Sequence, residues 1–122
     1  MINQHPTLNN GKICYVEIPA YDIAVSANFY KEVFKWNIRK RNDGSTAFDD
    51  TVNEVSGAFK LYRKPAAEVG LLVYIMVNDV YSTLKLVTEN GGKIVVPVGM
   101  DLPEITARFS DPAGNIFGVF QQ

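Results

Sequence analysis

The chain is short of the residues on which soft-metal and redox chemistry usually depends: its 122 residues include one Cys and one His. One Cys forms no internal disulfide, so a reducing, cytoplasmic setting is the expectation. Charge of one sign is missing as well. Twelve Lys and Arg stand against thirteen Asp and Glu, a formal net charge of −1, which removes the electrostatic basis for a nucleic-acid or anionic-membrane partner. The densest basic run, Arg39-Lys40-Arg41, stops at Asn42-Asp43. No apolar run approaches the roughly 20 residues that span a bilayer, and Met1 to Lys12 is polar, without the apolar centre of a signal peptide. What is present is 47% hydrophobic residues, 11% of the chain being aromatic. That is enough for the core of one domain.

Residues 1–11 lack periodicity and read as a loose arm containing His5, which has no partner nearby in sequence. Residues 12–63 form a first unit. Lys12 to Pro19 alternates with period two, placing Ile13, Tyr15 and Glu17 on one face and Cys14, Val16 and Ile18 on the other. Cys14 is thereby expected to be a small core residue. Asp22 caps a helix running to about Lys35, with Ile23, Ala27, Tyr30 and Phe34 at helical spacing. Strands follow over 36–41, 46–49 and 54–63, parted by the turn residues Asn42-Asp43-Gly44 and Asp50 to Asn53. Asp49, Asp50 and Glu54 then belong to a solvated turn, lacking the length and glycine of a calcium loop.

After a connection at 64–70, residues 71–122 repeat that order. A strand over 71–77 leads to a helix capped by Asp79, with Val80, Leu84 and Val87 on its apolar face and Asn90-Gly91 at its end. Strands over 93–98, 105–110 and 115–121 follow, the last two joined by Asp111-Pro112-Ala113-Gly114-Asn115. Sliding one half onto the other by 57 residues places Asp22 on Asp79 and Gly57 on Gly114. The chain is a single α+β domain of two tandem βαβββ units.

This arrangement resembles the vicinal oxygen chelate superfamily, which includes glyoxalase I, the bleomycin-resistance proteins and the extradiol dioxygenases. The resemblance runs from Lys12 to Gln122. It is carried by Val16-Glu17-Ile18-Pro19 leading to Asp22, Asn28-Phe29-Tyr30 with Phe34-Lys35-Trp36, Glu89-Asn90-Gly91-Gly92-Lys93, and Asp111 to Asn115. Lys35 departs from it, standing where such proteins usually have Gly, so either it takes a left-handed conformation or the helix ends differently. The resemblance implies that each unit curves its mixed sheet into half of an incomplete barrel around a cleft. It also implies a homodimer.

In the metal-dependent members, ligands come from the first and last strand of each unit. Carried over, these positions are Tyr15, Leu72, Gly118 and, by the 57-residue repeat, Leu61. None is an ordinary ligand. No shift of register repairs this, because Gly57 to Arg63 and Leu71 to Val77 contain no Asp, Glu, His, Cys, Asn or Gln. The expectation is a protein with no metal site and no cofactor.

The cleft lining expected from alternation and the repeat is Tyr15, Glu17, Phe59, Leu61, Leu72, Tyr74, Ile116, Gly118 and Phe120. Gly118 leaves room for a ligand, and Glu17 recognises an amine or amide. These residues alternatively just pack the halves together. Glu17 is the candidate catalytic group: burial raises a carboxylate's pKa towards the range of a general base, unless it is ion-paired with Lys60, Lys12 or Arg108. Met100 and Leu102, in the loop from Gly99 to Glu104, either cover a ligand or meet a second copy. The leading expectation is metal-independent binding of a small aromatic or apolar molecule. The alternatives are a glyoxalase-related lyase or isomerase using Glu17 as base, with Tyr15 or Tyr74 as proton donor, and a structural or interaction module with a filled core.

Overall fold

A computed structural model describes residues 6–68 and 70–122; His5, part of the arm and one residue of the connection lie outside the described residues. The element order is β1 (Tyr15–Pro19), α1 (Ile23–Phe34), β2 (Asn37–Lys40), β3 (Thr46–Asp49), β4 (Ser56–Lys60), β5 (Tyr74–Val77), α2 (Val80–Glu89), β6 (Lys93–Val96), β7 (Ile105–Ser110) and β8 (Ile116–Gln121). This is the duplicated βαβββ order. The strands form two four-stranded sheets, β1-β4-β3-β2 and β5-β8-β7-β6, with β1 parallel to β4, β5 parallel to β8 and the other pairs antiparallel. Neither sheet closes into a barrel.

Both helices start where a carboxylate accepts from the first free backbone N–H groups: Asp22 from Val25, and Asp79 from Tyr81 and Ser82. At the end of α1, Lys35 takes the left-handed conformation, φ 62°, and its N–H donates to the carbonyls of Tyr30 and Lys31. The departure from glycine is therefore met by strain in place.

The helices cover one face of each sheet, and a single core joins the units. Phe29, Tyr30, Val80, Val87, Phe109 and Val119 are fully buried in it. Aromatic contacts cross between units: Phe29 lies 5.8 Å from Phe109, Phe34 5.6 Å from Phe109 and Tyr30 5.8 Å from Phe117. Pairs of this kind add about 0.5–1.5 kcal/mol each beyond their buried area.

Cys14 is exposed and precedes β1 rather than packing in the core. It lies ahead of the first ladder pair, Tyr15 with Ser56, so the alternation that half-buries Val16 and buries Ile18 does not extend to it.

Candidate ligand-binding site

Strand register decides which side chains share the face away from the helices. In the first unit Glu17 pairs with Ala58, Ala58 with Ala47 and Ala47 with Arg39, while Tyr15 pairs with Ser56 and Ser56 with Asp49. In the second, Tyr74 pairs with Gly118 and Gly118 with Arg108, and Met76 pairs with Phe120 and Phe120 with Thr106.

Two expected site residues are misplaced by the sequence reading. Phe59 pairs with Ile18, faces the helices and is buried against Tyr30 and Phe48. Leu61 lies beyond the end of β4 in an exposed turn. The cause is the repeat itself. Ile18 corresponds to Ile75 at an offset of 57, but their partners Phe59 and Val119 are 60 apart. An odd change of offset turns every side chain over. The structural mate of Gly118 is thus Ala58, not Leu61.

The first-unit face is polar and cationic. Arg63 Nη1 donates to Glu17 Oε1 at 2.7 Å, and Lys60 Nζ lies 3.8 Å from Oε2. The Arg63 hydrogen bond, aided by the charges of Arg63 and Lys60, holds Glu17 below the ordinary carboxylate range. This overturns the expected upward shift: the side chain is paired, not buried. Arg39 engages Asp49 with two hydrogen bonds, 2.9 and 3.1 Å, and holds its carboxyl far below the usual aspartate range. Arg41 donates to the Tyr15 hydroxyl at 2.8 Å, with its guanidinium 5.5 Å from that ring's centre. Beneath these long side chains Ala47 and Ala58 have no exposed surface.

The second-unit face is different. Tyr74, Met76, Thr106 and Phe120, with Asp101 and Glu104 from the connection between β6 and β7, line a hollow of about 490 Å³. Its position over Gly118 is taken by Tyr74 itself, because a Cβ on Gly118 would stand 2.5 Å from that ring. Gly118 therefore seats Tyr74 instead of making room for a ligand. Leu72 is half-buried just ahead of β5. A larger groove of about 820 Å³ runs along the unpaired edge of β5, where Val73 to Val77 face Val16, Phe34, Trp36, Phe48 and Val52. Tyr74 and Met76 border both hollows, whereas Tyr15 and Glu17 line neither.

Of the expected lining, the structure thus brings together Tyr74 and Phe120. Met76, Asp101, Glu104 and Thr106 escaped the sequence reading. Alternation from Tyr74 points to Met76, but nothing in the sequence says that the loop carrying Asp101 and Glu104 folds against that face.

The positions that the resemblance assigns to metal ligands fall, once the observed register replaces Leu61 by Ala58, on Tyr15, Ala58, Leu72 and Gly118. A phenol, a methyl group, an isobutyl group and a hydrogen do not fit a divalent ion. Among the described residues no group of three or more His, Cys, Asp or Glu is placed to hold one.

Residues 12–119 match the family model described as Glyoxalase/Bleomycin resistance protein/Dioxygenase superfamily. A glyoxylase-like domain-containing protein of Didymella fabae is 30% identical over 122 residues, covering 90% of this chain and 93% of that protein. Among solved structures, a superfamily member from Sphaerobacter thermophilus superposes with a TM-score of 0.74 at 21% identity, covering 92% of this chain and 98% of that one. A hypothetical protein from S. aureus gives 0.74 at 15% identity, covering 92% and 94%. A family enzyme from Burkholderia phytofirmans gives 0.73 at 17%, covering 88% and 95%.

Proposed function

Because the chain belongs to the glyoxalase/bleomycin resistance protein/dioxygenase superfamily, we propose that it binds a small aromatic or apolar molecule, without a metal, on the concave face of its second unit. The observation that carries this reading is the 490 Å³ hollow floored by Tyr74, Met76 and Phe120. Its size falls in the range of about 300–1,000 Å³ usual for small-molecule sites. Tyr74 and Met76 are 43% and 64% exposed. Apolar side chains left open in this way are covered by a ligand, by a second copy of the chain, or by both, so a homodimer belongs to the reading.

The lyase or isomerase alternative needs a base with a pKa near the working pH, and Arg63 moves Glu17 the other way. Binding is the better supported function. A cytoplasmic setting is part of the proposal; among the described residues no helix is long and apolar enough to cross a membrane.

The test is a thermal-shift screen of aromatic metabolites and of divalent metals, each alone, on wild type and Tyr74→Ala. Ligand binding to the native state raises the melting temperature. The expected result is a rise with one class of aromatic compound that Tyr74→Ala abolishes, and none with metals. A stoichiometric metal in the purified protein, or silence across the aromatic series, would sink the reading.

A further inference from the structure

The second-unit hollow combines an aromatic floor with carboxylates that form no ion pair among the described residues. Thr106 donates its hydroxyl to Asp101 Oδ2 at 2.5 Å, fixing that carboxylate at the edge of the hollow, and Glu104 lines it beside Asp101. The ion pairs among the described residues engage Glu54, Asp49 and Glu17, leaving Asp101 and Glu104 without one. Arg108 lies on the same face beside Gly118 and forms no ion pair with either. The contrast with the first unit is direct, since Glu17 and Asp49 on that face are each bound by a guanidinium.

We propose that the ligand of this hollow is an organic cation, an arylalkylamine whose ammonium group is held by Asp101 and Glu104 while its apolar body lies on Tyr74, Met76 and Phe120. The inference rests on the binding function above and adds the ligand's charge to it. Ring faces carry a negative quadrupole that attracts cations, and two unmatched carboxylates add to it. A carboxylate ligand of the same shape meets repulsion from both. Recognition of an amine, which the sequence suggested for Glu17, passes to the second unit, because Glu17 already has Arg63 and Lys60 as partners.

The experiment compares three indoles of similar size by calorimetry on the full chain: tryptamine, indole-3-ethanol and indole-3-acetate. Tryptamine is expected to bind about tenfold more tightly than the alcohol, with the acetate weakest, the combined effect of exposed ion pairs and a cation over a ring. The double variant Asp101→Asn with Glu104→Gln, checked for an unchanged circular-dichroism spectrum, is expected to abolish the preference for tryptamine over the alcohol. Equal affinity for all three overturns the cation and leaves the binding function standing, as does a tryptamine preference that survives the double variant. If none of the three binds, the binding function falls and the cation with it. A double variant that converts a dimer to a monomer also overturns the proposal, by assigning the carboxylates to a subunit contact.

Discussion

Asn115 ties the last turn to the first unit and to the connection: its Nδ2 donates to the Pro19 carbonyl at the end of β1 and to Asp111 Oδ2 within the turn, and its Oδ1 accepts from Ala66 N–H. Asp111 in turn accepts from Tyr30 Oη at 2.8 Å, so a buried network links α1, β1 and the last turn. Burial pushes the Asp111 carboxyl up and the Tyr30 phenol well up. Asn115→Ala leaves these partners unsatisfied in the interior and is expected to cost about 2–4 kcal/mol, read from denaturant midpoints at constant slope. The sequence assigned Asp111 and Asn115 to a turn correctly, but nothing local announces a bond to Pro19, 96 positions away. Asp49 carries a pH dependence of the opposite sort to Asp111. Its folded pKa lies below the ordinary value of 3.8, so it adds stability above that value and loses it as pH falls through the folded pKa. Asp49→Asn is expected to flatten the acid limb of the melting temperature plotted against pH. A wild-type slope retained below pH 4 in that variant would refute Asp49 as its source.

At the scale of elements, the helices were the most legible part. Asp22 and Asp79 cap where expected, α1 ends one residue before Lys35, and Gly91 takes a φ of 95° after α2. Helix signals are local, which is why they could be read. The left-handed Lys35 gives a stability prediction. Lys35→Gly removes the Cβ clash at φ 62° and is expected to stabilise by about 0.5–1 kcal/mol after the flexibility gained by the unfolded chain, seen as a higher melting temperature. Strand faces were less legible, since one constant offset was applied to units that differ in length. The connection between β6 and β7 spans 97–104, against 41–45 between β2 and β3. That longer loop carries Asp101 and Glu104, so the feature that misaligned the last strands also builds one wall of the hollow. β4 tolerates no side chain at Gly57, where a Cβ would collide with the Val16 carbonyl and the Phe48 ring. Gly57→Ala is expected to cost about 3 kcal/mol, whereas Gly118→Ala displaces only the Tyr74 side chain and is expected to weaken ligand binding more than it lowers stability.

For the whole molecule, the shared aromatic core makes the two units one cooperative body. Trp36, the only tryptophan, stacks on Tyr30 at 4.7 Å, and Tyr30 meets Phe117 of the second unit. Phe117→Leu is accordingly expected to shift the unfolding midpoint seen by Trp36 fluorescence as far as that seen by far-ultraviolet circular dichroism; two separated midpoints would show independent units. The sequence by itself determined the element order, the duplication, the helix caps and the family, because periodicity, capping and turn residues act over a few positions. Only the tertiary structure decided that Phe59 faces the helices, that Glu17 is neutralised by Arg63, that Gly118 seats Tyr74, and that Asp101 and Glu104 reach the hollow. Each of these depends on register or on a contact between distant segments, and a register shift of one residue reverses a face without altering any local signal.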